Sequence, residues 1–366
     1  MQRARPNLFV LLWDDAIAAG TFACASREVG LLMSVWNEVL PVVQAINSAG
    51  GNFTSIFLNR SVLELLDAAA TAGDSTAITS RDRIVRAVQN GNWPHDPNAF
   101  NAIFENYHEG LFYLLAKHRG VQLRHVPENS GKTPDFAAEV FSENFELKTL
   151  DFSGGSNAYP QIAKVGQESQ DAARQEAKTR GVGFGVSSVN PHGSAADWLQ
   201  VMQRVIRQIG ANVKQGQFEE KSTILVVALP RTSIRSDAVD LTDFRQDAVL
   251  GPVNGHLWTL AAHKVGDHFW WPHPNGFRQQ AAAHDNDNGP LPQNGVLRDY
   301  PFVQGIVFIH TIWHKLGSAD VFNPNILDDA YRLHGVWNDA FAPLGQVQSA
   351  NPSSFFGLCH ASVRMP

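Results

Sequence analysis

An acid at the head of one strand-like segment, with an acid and a lysine two residues apart in the next, could hold a divalent cation and hydrolyse a phosphodiester. The acid is Asp135, in Thr133-Pro134-Asp135-Phe136; the pair is Glu146 and Lys148, in Phe145-Glu146-Leu147-Lys148-Thr149. Residues two apart on a strand point to the same face, so Glu146 and Lys148 project together while Leu147 turns to the packed side. A hairpin pairing of the two segments would bring Asp135 beside them. Carboxylates suit Mg²⁺, a hard cation that takes oxygen ligands and keeps several waters. Such an ion polarises a phosphate and lowers the pKa of a bound water. An ammonium beside it orients the nucleophile or offsets charge building on the phosphate oxygens.

The elements that must position these groups follow from the hydrophobic pattern. Helical spacing is expected over Ser26 to Ile46, about Ile56 to Ala70, and Phe100 to Arg119, with Gly120 as a C-terminal stop. Thr79-Ser80-Arg81-Asp82 reads as an N-cap feeding a short helix to Gln89. The turn residues from Asn90 to Asn98 place a boundary between a helical N-terminal region, 1–95, and a second domain, 96–366. Within the latter, Val121–Val126, Asp135–Phe141 and Asn144–Leu150 read as strands, the last two joined at Ser142-Glu143 as a tight hairpin. Tyr159–Thr179 and Trp198–Val213 read as helices, and Ser222–Leu229 and Phe302–His310 as buried strands. A long insertion at about 231–300 carries some helix around His256–Lys264, and Asn325–Pro343 reads as partly helical. The order describes a layered α/β domain.

With the strands in this order, the segment resembles the PD-(D/E)XK nuclease superfamily, the restriction-endonuclease-like fold. Pro134-Asp135 matches the PD and Glu146-Leu147-Lys148 the E-X-K. The resemblance covers about residues 98–230, with Phe302–His310 as an added strand. It implies an α/β/α core around a central mixed sheet, preceded here by the mostly helical region. It implies that Asp135, Glu146 and the backbone carbonyl of Leu147 bind Mg²⁺, with Mn²⁺ able to replace it, and that Lys148 assists the attacking water. It further implies an acid on the preceding helix that completes the acidic cluster or binds a second metal: Glu109 first, with Glu105 one turn earlier on the same face. His108 is read as a surface residue. The substrate implied is nucleic acid, with DNA first, and a homodimer would suit cleavage of both strands.

Composition bounds the alternatives. The chain has 366 residues, 44% hydrophobic and 17% charged, an ordinary globular balance that excludes wholesale disorder. No apolar run approaches the roughly 20 residues of a membrane span, and two cysteines, Cys24 and Cys359, cannot build a disulfide framework or a four-thiolate zinc site. A cytoplasmic address without membrane contact is expected. A net charge of −6 excludes a general attraction to nucleic acid, so binding would need a local basic surface. Lys164, Arg174, Lys178, Arg180, Arg204, Arg207 and Lys214 could supply one, although Glu168, Asp171 and Glu176 interleave them. Gly181–Gly185 lacks the strand-to-helix setting of a dinucleotide fingerprint, and Gly131-Lys132-Thr133 lacks the P-loop spacing because position 126 is valine.

Competing readings attach to each residue. Asp135 could be a turn residue after Pro134. Glu146 and Lys148 could be a solvated strand face, against which Val140, Phe141, Phe145 and Leu147 argue for a buried hairpin. Glu105 and Glu109 could be the polar side of an amphipathic helix. His256, His263, His268, His273 and His284 raise a zinc hydrolase, but no H-E-x-x-H or close H-x-H pair accompanies them. A module that keeps the nuclease fold and binds nucleic acid, or serves structure, without turnover is the alternative of a different class.

Overall fold

The computed structural model describes residues 34–48, 58–91, 97–127, 133–138, 143–150, 158–182, 198–218, 223–229, 244–247, 251–254, 256–265, 270–272, 278–280, 291–312, 315–316, 321–338 and 360–363. Among the described residues four helices come first: α1 (Val35–Ser48), α2 (Arg60–Thr71), α3 (Ser75–Asn90) and α4 (Pro97–His118). Asn59 caps α2 by accepting from the Ser61 N–H. Asp74, not Thr79 or Ser80, caps α3, accepting from the N–H groups of Thr76 and Ala77 at 3.1 and 3.0 Å. The expected cap therefore lies inside a longer helix, where Ser80 faces the core with Ala77 and Ile84. Gly120 ends the α4 segment at φ +79°, a conformation that favours glycine.

The motif strands follow as β1 (Leu123–His125), β2 (Phe136–Ala138) and β3 (Asn144–Thr149). Then come α5 (Ala158–Arg180), α6 (Trp198–Asn212) and β4 (Thr223–Ala228). The expected hairpin turn lies partly in 139–142, outside the described residues. β1, β2 and β3 are antiparallel, and β4 lies parallel to β3. This is the α-β-β-β-α-α-β order expected from the hydrophobic pattern. The sheet continues through β9 (Gly305–Thr311), β10 (Tyr331–Asn338) and β11 (His360–Val363), in the order β1-β2-β3-β4-β9-β10-β11. β4 and β9 are buried at every position, as the central strands of a sheet covered on both faces must be.

Period-2 alternation divides these strands between two cores. Phe145, Leu147, Ile224, Val226, Val307 and Ile309 face the layer of α1–α4. Leu225, Val227, Ile306 and Phe308 face α6, α7 (His256–Ala262) and α8 (Val296–Asp299). The architecture is thus α/β with a mixed sheet between helical layers. The helices before residue 95 contribute to the same hydrophobic cluster as the sheet: Val62, Leu63 and Leu66 of α2 belong with Phe104, Leu111 and Phe145.

Two regions hold more strand than the sequence pattern predicts. The 231–300 insertion holds a second, four-stranded sheet of β5 (Phe244–Asp247), β6 (Gly251–Asn254), β7 (Trp270–Pro272) and β8 (Arg278–Gln280). Strands of three or four residues carry too little alternation to be read. The tail over 325–343 is partly helical as expected, in α9 (Ile326–Ala330), but β10 follows without a break, and 339–343 lie outside the described residues. Tyr331, Leu333 and Trp337 lie at period 2 in that strand, and a helix would have scattered them.

Candidate active site

The β2–β3 register pairs Phe136 with Phe145 and Ala137 with Asn144. Carried one residue outward, it sets Asp135 opposite Glu146, on the same face of the sheet. Phe136 and Phe145 hold that register from the other face, where Phe112 of α4 meets their rings at centroid distances of 5.9 and 5.4 Å. The Asp135 carbonyl accepts from the Val126 N–H at 3.0 Å, which ties the acid's backbone to β1.

Pro134 has a structural role here. The Ala138 N–H donates to the Glu143 carbonyl, so hydrogen-bonded positions recur at 136/145 and, extended, at 134/147. Proline has no N–H to give the Leu147 carbonyl. The Leu147 N–H instead donates to Asp135 Oδ2 at 2.7 Å. The hairpin end thus gathers a carboxylate and a backbone carbonyl that the ladder does not consume, together with Glu146.

Glu146 is 2% exposed. Its Oε1 accepts from Lys148 Nζ and from Gln217 Nε2, the latter at 2.6 Å. Its Oε2 is buried and receives no hydrogen bond from the protein. Burial, then the neighbouring charge of Glu146, pushes the Asp135 carboxyl up to about 7. Asp135 and Glu146 thus behave as two like charges on one low-dielectric surface.

Glu109 projects from α4 and pairs with Arg83 of α3 at 2.9 Å. Burial, then the charge of Asp135, pushes it up to about 8. The structure therefore brings Glu109 to the flank of the pair while turning it toward Arg83. Glu105 is exposed. Arg83 also holds down the neighbouring His125, which burial first and the guanidinium second lower to about 4. Neutral His125 stacks on Phe136 at 4.4 Å and shares a 2.9 Å hydrogen bond with Ser80 Oγ.

His108 is corrected from a surface residue to a fully buried one, hydrogen-bonded through Nδ1 to Thr149 Oγ1 at 3.1 Å. α4 lies between α3 and the sheet, so its polar positions are packed as well. Arg83 and Gln217 are site residues that the sequence does not announce.

Among the described residues no group of three His, Cys, Asp or Glu side chains stands together to hold an ion. The donors at the hairpin are a carboxylate pair and backbone oxygen. That set fits a hydrated Mg²⁺, bound by one or two carboxylates, better than zinc, which wants four convergent protein ligands or three and an open position. The buried, unfilled Glu146 Oε2 is an acceptor such an ion would satisfy. In the insertion, His263 is buried and its Nε2 lies 3.2 Å from the Leu291 carbonyl. The side chains of His256, His268, His273 and His284 lie outside the described residues.

Two of the helical bases are engaged locally. Arg174 pairs with Asp171 at 3.5 Å and Arg180 with Glu176 at 2.5 Å, as solvated faces of α5 do. No helix among the described residues is long and apolar enough to cross a membrane. No protein-family model matches the chain, and neither a curated protein nor a solved structure matches it.

The Arg83–Glu109 pair yields a stability test. Arg83→Met leaves Glu109 buried without its cation and is expected to cost about 1–3 kcal/mol. Adding Glu109→Gln should recover part of that loss. Urea unfolding of both single variants and the double variant measures the coupling, and strictly additive losses would show that the pair contributes nothing.

Proposed function

We propose that this chain is a Mg²⁺-dependent nuclease of PD-(D/E)XK type that hydrolyses phosphodiester bonds, with DNA as its substrate. The observation that carries the reading is the hairpin register. It sets Asp135 opposite Glu146, with the Leu147 backbone between them and Lys148 beside Glu146. The α-β-β-β-α-α-β element order around that hairpin supports it.

Asp135, Glu146 and the Leu147 carbonyl would hold the ion, and Glu109 would complete the acidic cluster beside them. When bound, Mg²⁺ supplies polarisation of the phosphate and acidification of a water. Lys148 is the cation nearest this pair along the strand. Released from Glu146 by an arriving phosphate, its ammonium can orient the attacking water in line with the leaving oxygen and offset charge on the phosphate oxygens. Leu147, buried on the opposite face, keeps the strand from rolling as those charges rearrange.

A second reading is a nucleic-acid-binding or structural module without turnover. One observation favours it: Lys148 already neutralises the buried Glu146 internally, and the side chain of Glu146 is only 3% exposed. Plasmid and linear DNA, and RNA of matching sequence, incubated with Mg²⁺, Mn²⁺ or EDTA, separate the two. Cleavage that needs the metal and stops in EDTA is the result expected. Retention of nucleic acid on the protein with no cleavage under any condition would support the module.

A further inference from the structure

The hydrogen bonds to Glu146 are lopsided. Two donors, Lys148 Nζ and Gln217 Nε2, converge on Oε1, while Oε2 is buried with none. A carboxylate with two donors converging on one oxygen is held about its last torsion, because turning that oxygen away breaks both hydrogen bonds. One of these donors has other work in the proposed reaction. If Lys148 turns to water and phosphate, it cannot also keep Glu146 aligned. Gln217 is neutral, contributes no charge to the chemistry, and stays.

The chain delivers Gln217 from a well-anchored place. It closes a 3₁₀ turn, Gln215–Gln217, just after α6. The Gln217 N–H donates to the Lys214 carbonyl and the Phe218 N–H to the Gln215 carbonyl, both at 2.9 Å. Buried Val213 and Phe218 pin the turn on either side, and Phe218 meets Phe302 at 6.0 Å between ring centroids. The carbonyl end of the side chain, Oε1, is itself buried and unfilled. It is a second acceptor beside Glu146, of the kind a hydrated cation donates to.

Resting on the nuclease reading above, we infer that Gln217 is a positioning residue for the metal site: it holds Glu146 so that Oε2 is presented to the divalent cation. Groups that orient a ligand in this way typically cost 10–100-fold in metal affinity when removed.

Mn²⁺ binding by the full chain, without nucleic acid, is followed by calorimetry or by the electron-spin signal of the free ion. The proteins compared are wild type, Gln217→Ala, Gln217→Met, Glu146→Gln and Gln293→Ala. Gln217→Met keeps the volume and guards against a folding defect in the alanine variant. Gln293 bonds the Gln203 carbonyl of α6 at 3.1 Å and serves as a control for loosening that helix. Both Gln217 variants should bind Mn²⁺ about 10–100-fold more weakly than wild type, with Gln293→Ala unchanged. In cleavage, their half-maximal Mg²⁺ concentration should rise in step while the rate at saturating Mg²⁺ stays near wild type. A merely structural glutamine would lower the rate at every Mg²⁺ concentration and leave the midpoint in place. Unchanged Mn²⁺ affinity in both Gln217 variants, with binding lost in Glu146→Gln, would overturn the role of Gln217 and leave the nuclease reading standing. Wild-type Mn²⁺ binding that is absent, or indifferent to Glu146→Gln, would overturn the metal site itself and the role of Gln217 with it.

Discussion

Lys148→Gln is expected to cleave about 10²–10³-fold more slowly than wild type while binding Mg²⁺ with near-normal affinity. The choice of glutamine matters. Lys148 donates to Glu146, whose side chain is almost wholly buried, and alanine there would leave a buried carboxylate short of both a donor and a counter-charge. Glutamine keeps a donor within reach, so the loss reads the missing ammonium rather than a collapsed hairpin. Glu146→Gln and Asp135→Asn should fail differently. Each keeps an oxygen for the hydrogen bonds seen, from Lys148 and Gln217 to position 146 and from the Leu147 N–H to position 135, but each removes a charge that would hold the cation. Their metal binding should fall along with their cleavage. Rates measured across a Mg²⁺ titration distinguish the two patterns. If Lys148→Gln cleaves like wild type, the ammonium has no part in the chemistry. If Glu146→Gln keeps both affinity and rate, the cation lies elsewhere.

The hairpin is legible in the sequence because its information is local. Phe145, Leu147 and Lys148 alternate as a strand must, and Pro134-Asp135 and Glu146 sit close enough along the chain that one turn brings them together. The long helices and the buried runs β4 and β9 are legible for a similar reason, since uninterrupted apolar patterns of that length admit few alternatives. The partners of the charges are not local. Arg83 lies 26 residues before Glu109 and Gln217 lies 71 after Glu146, on elements whose own periodicity says only which face is buried. One signal was present for the first: Ser80 and Thr76 interrupt the apolar stripe of α3 on its buried side, which marks that face as one meeting polar groups. His108 was hidden because an amphipathic pattern cannot say that a helix will be covered on its second side. The small sheet of the insertion was hidden because strands of three and four residues, two of them holding Pro252 and Pro272, carry almost no pattern.

The metal-free protein is expected to lose stability steadily as pH rises from about 5 to 8.5. Burial and the charge of Glu146 hold Asp135 up at about 7, from 3.8 in the unfolded chain. Burial and the charge of Asp135 hold Glu109 up at about 8, from 4.5. Well below 3.8 both states carry these protons and the native arrangement keeps its full advantage. Above that, the unfolded chain releases its protons first. The native state then binds more protons than the unfolded one, so stability falls with pH until Asp135 and Glu109 themselves ionise. Mg²⁺ should reverse the trend, because it binds the ionised carboxylates and stabilises the native state only where they are charged. Its effect on the melting temperature should therefore be larger at pH 8.5 than at pH 5.5. Glu146→Gln removes one of the charges that raises Asp135, so the pH at which Asp135 gives up its stabilisation should move down. Melting curves at both pH values, with and without Mg²⁺, check the sign. A melting temperature that rises with pH in the absence of metal would mean that these acids are already ionised in the native state, and that the like-charge cluster at the mouth of the hairpin does not form.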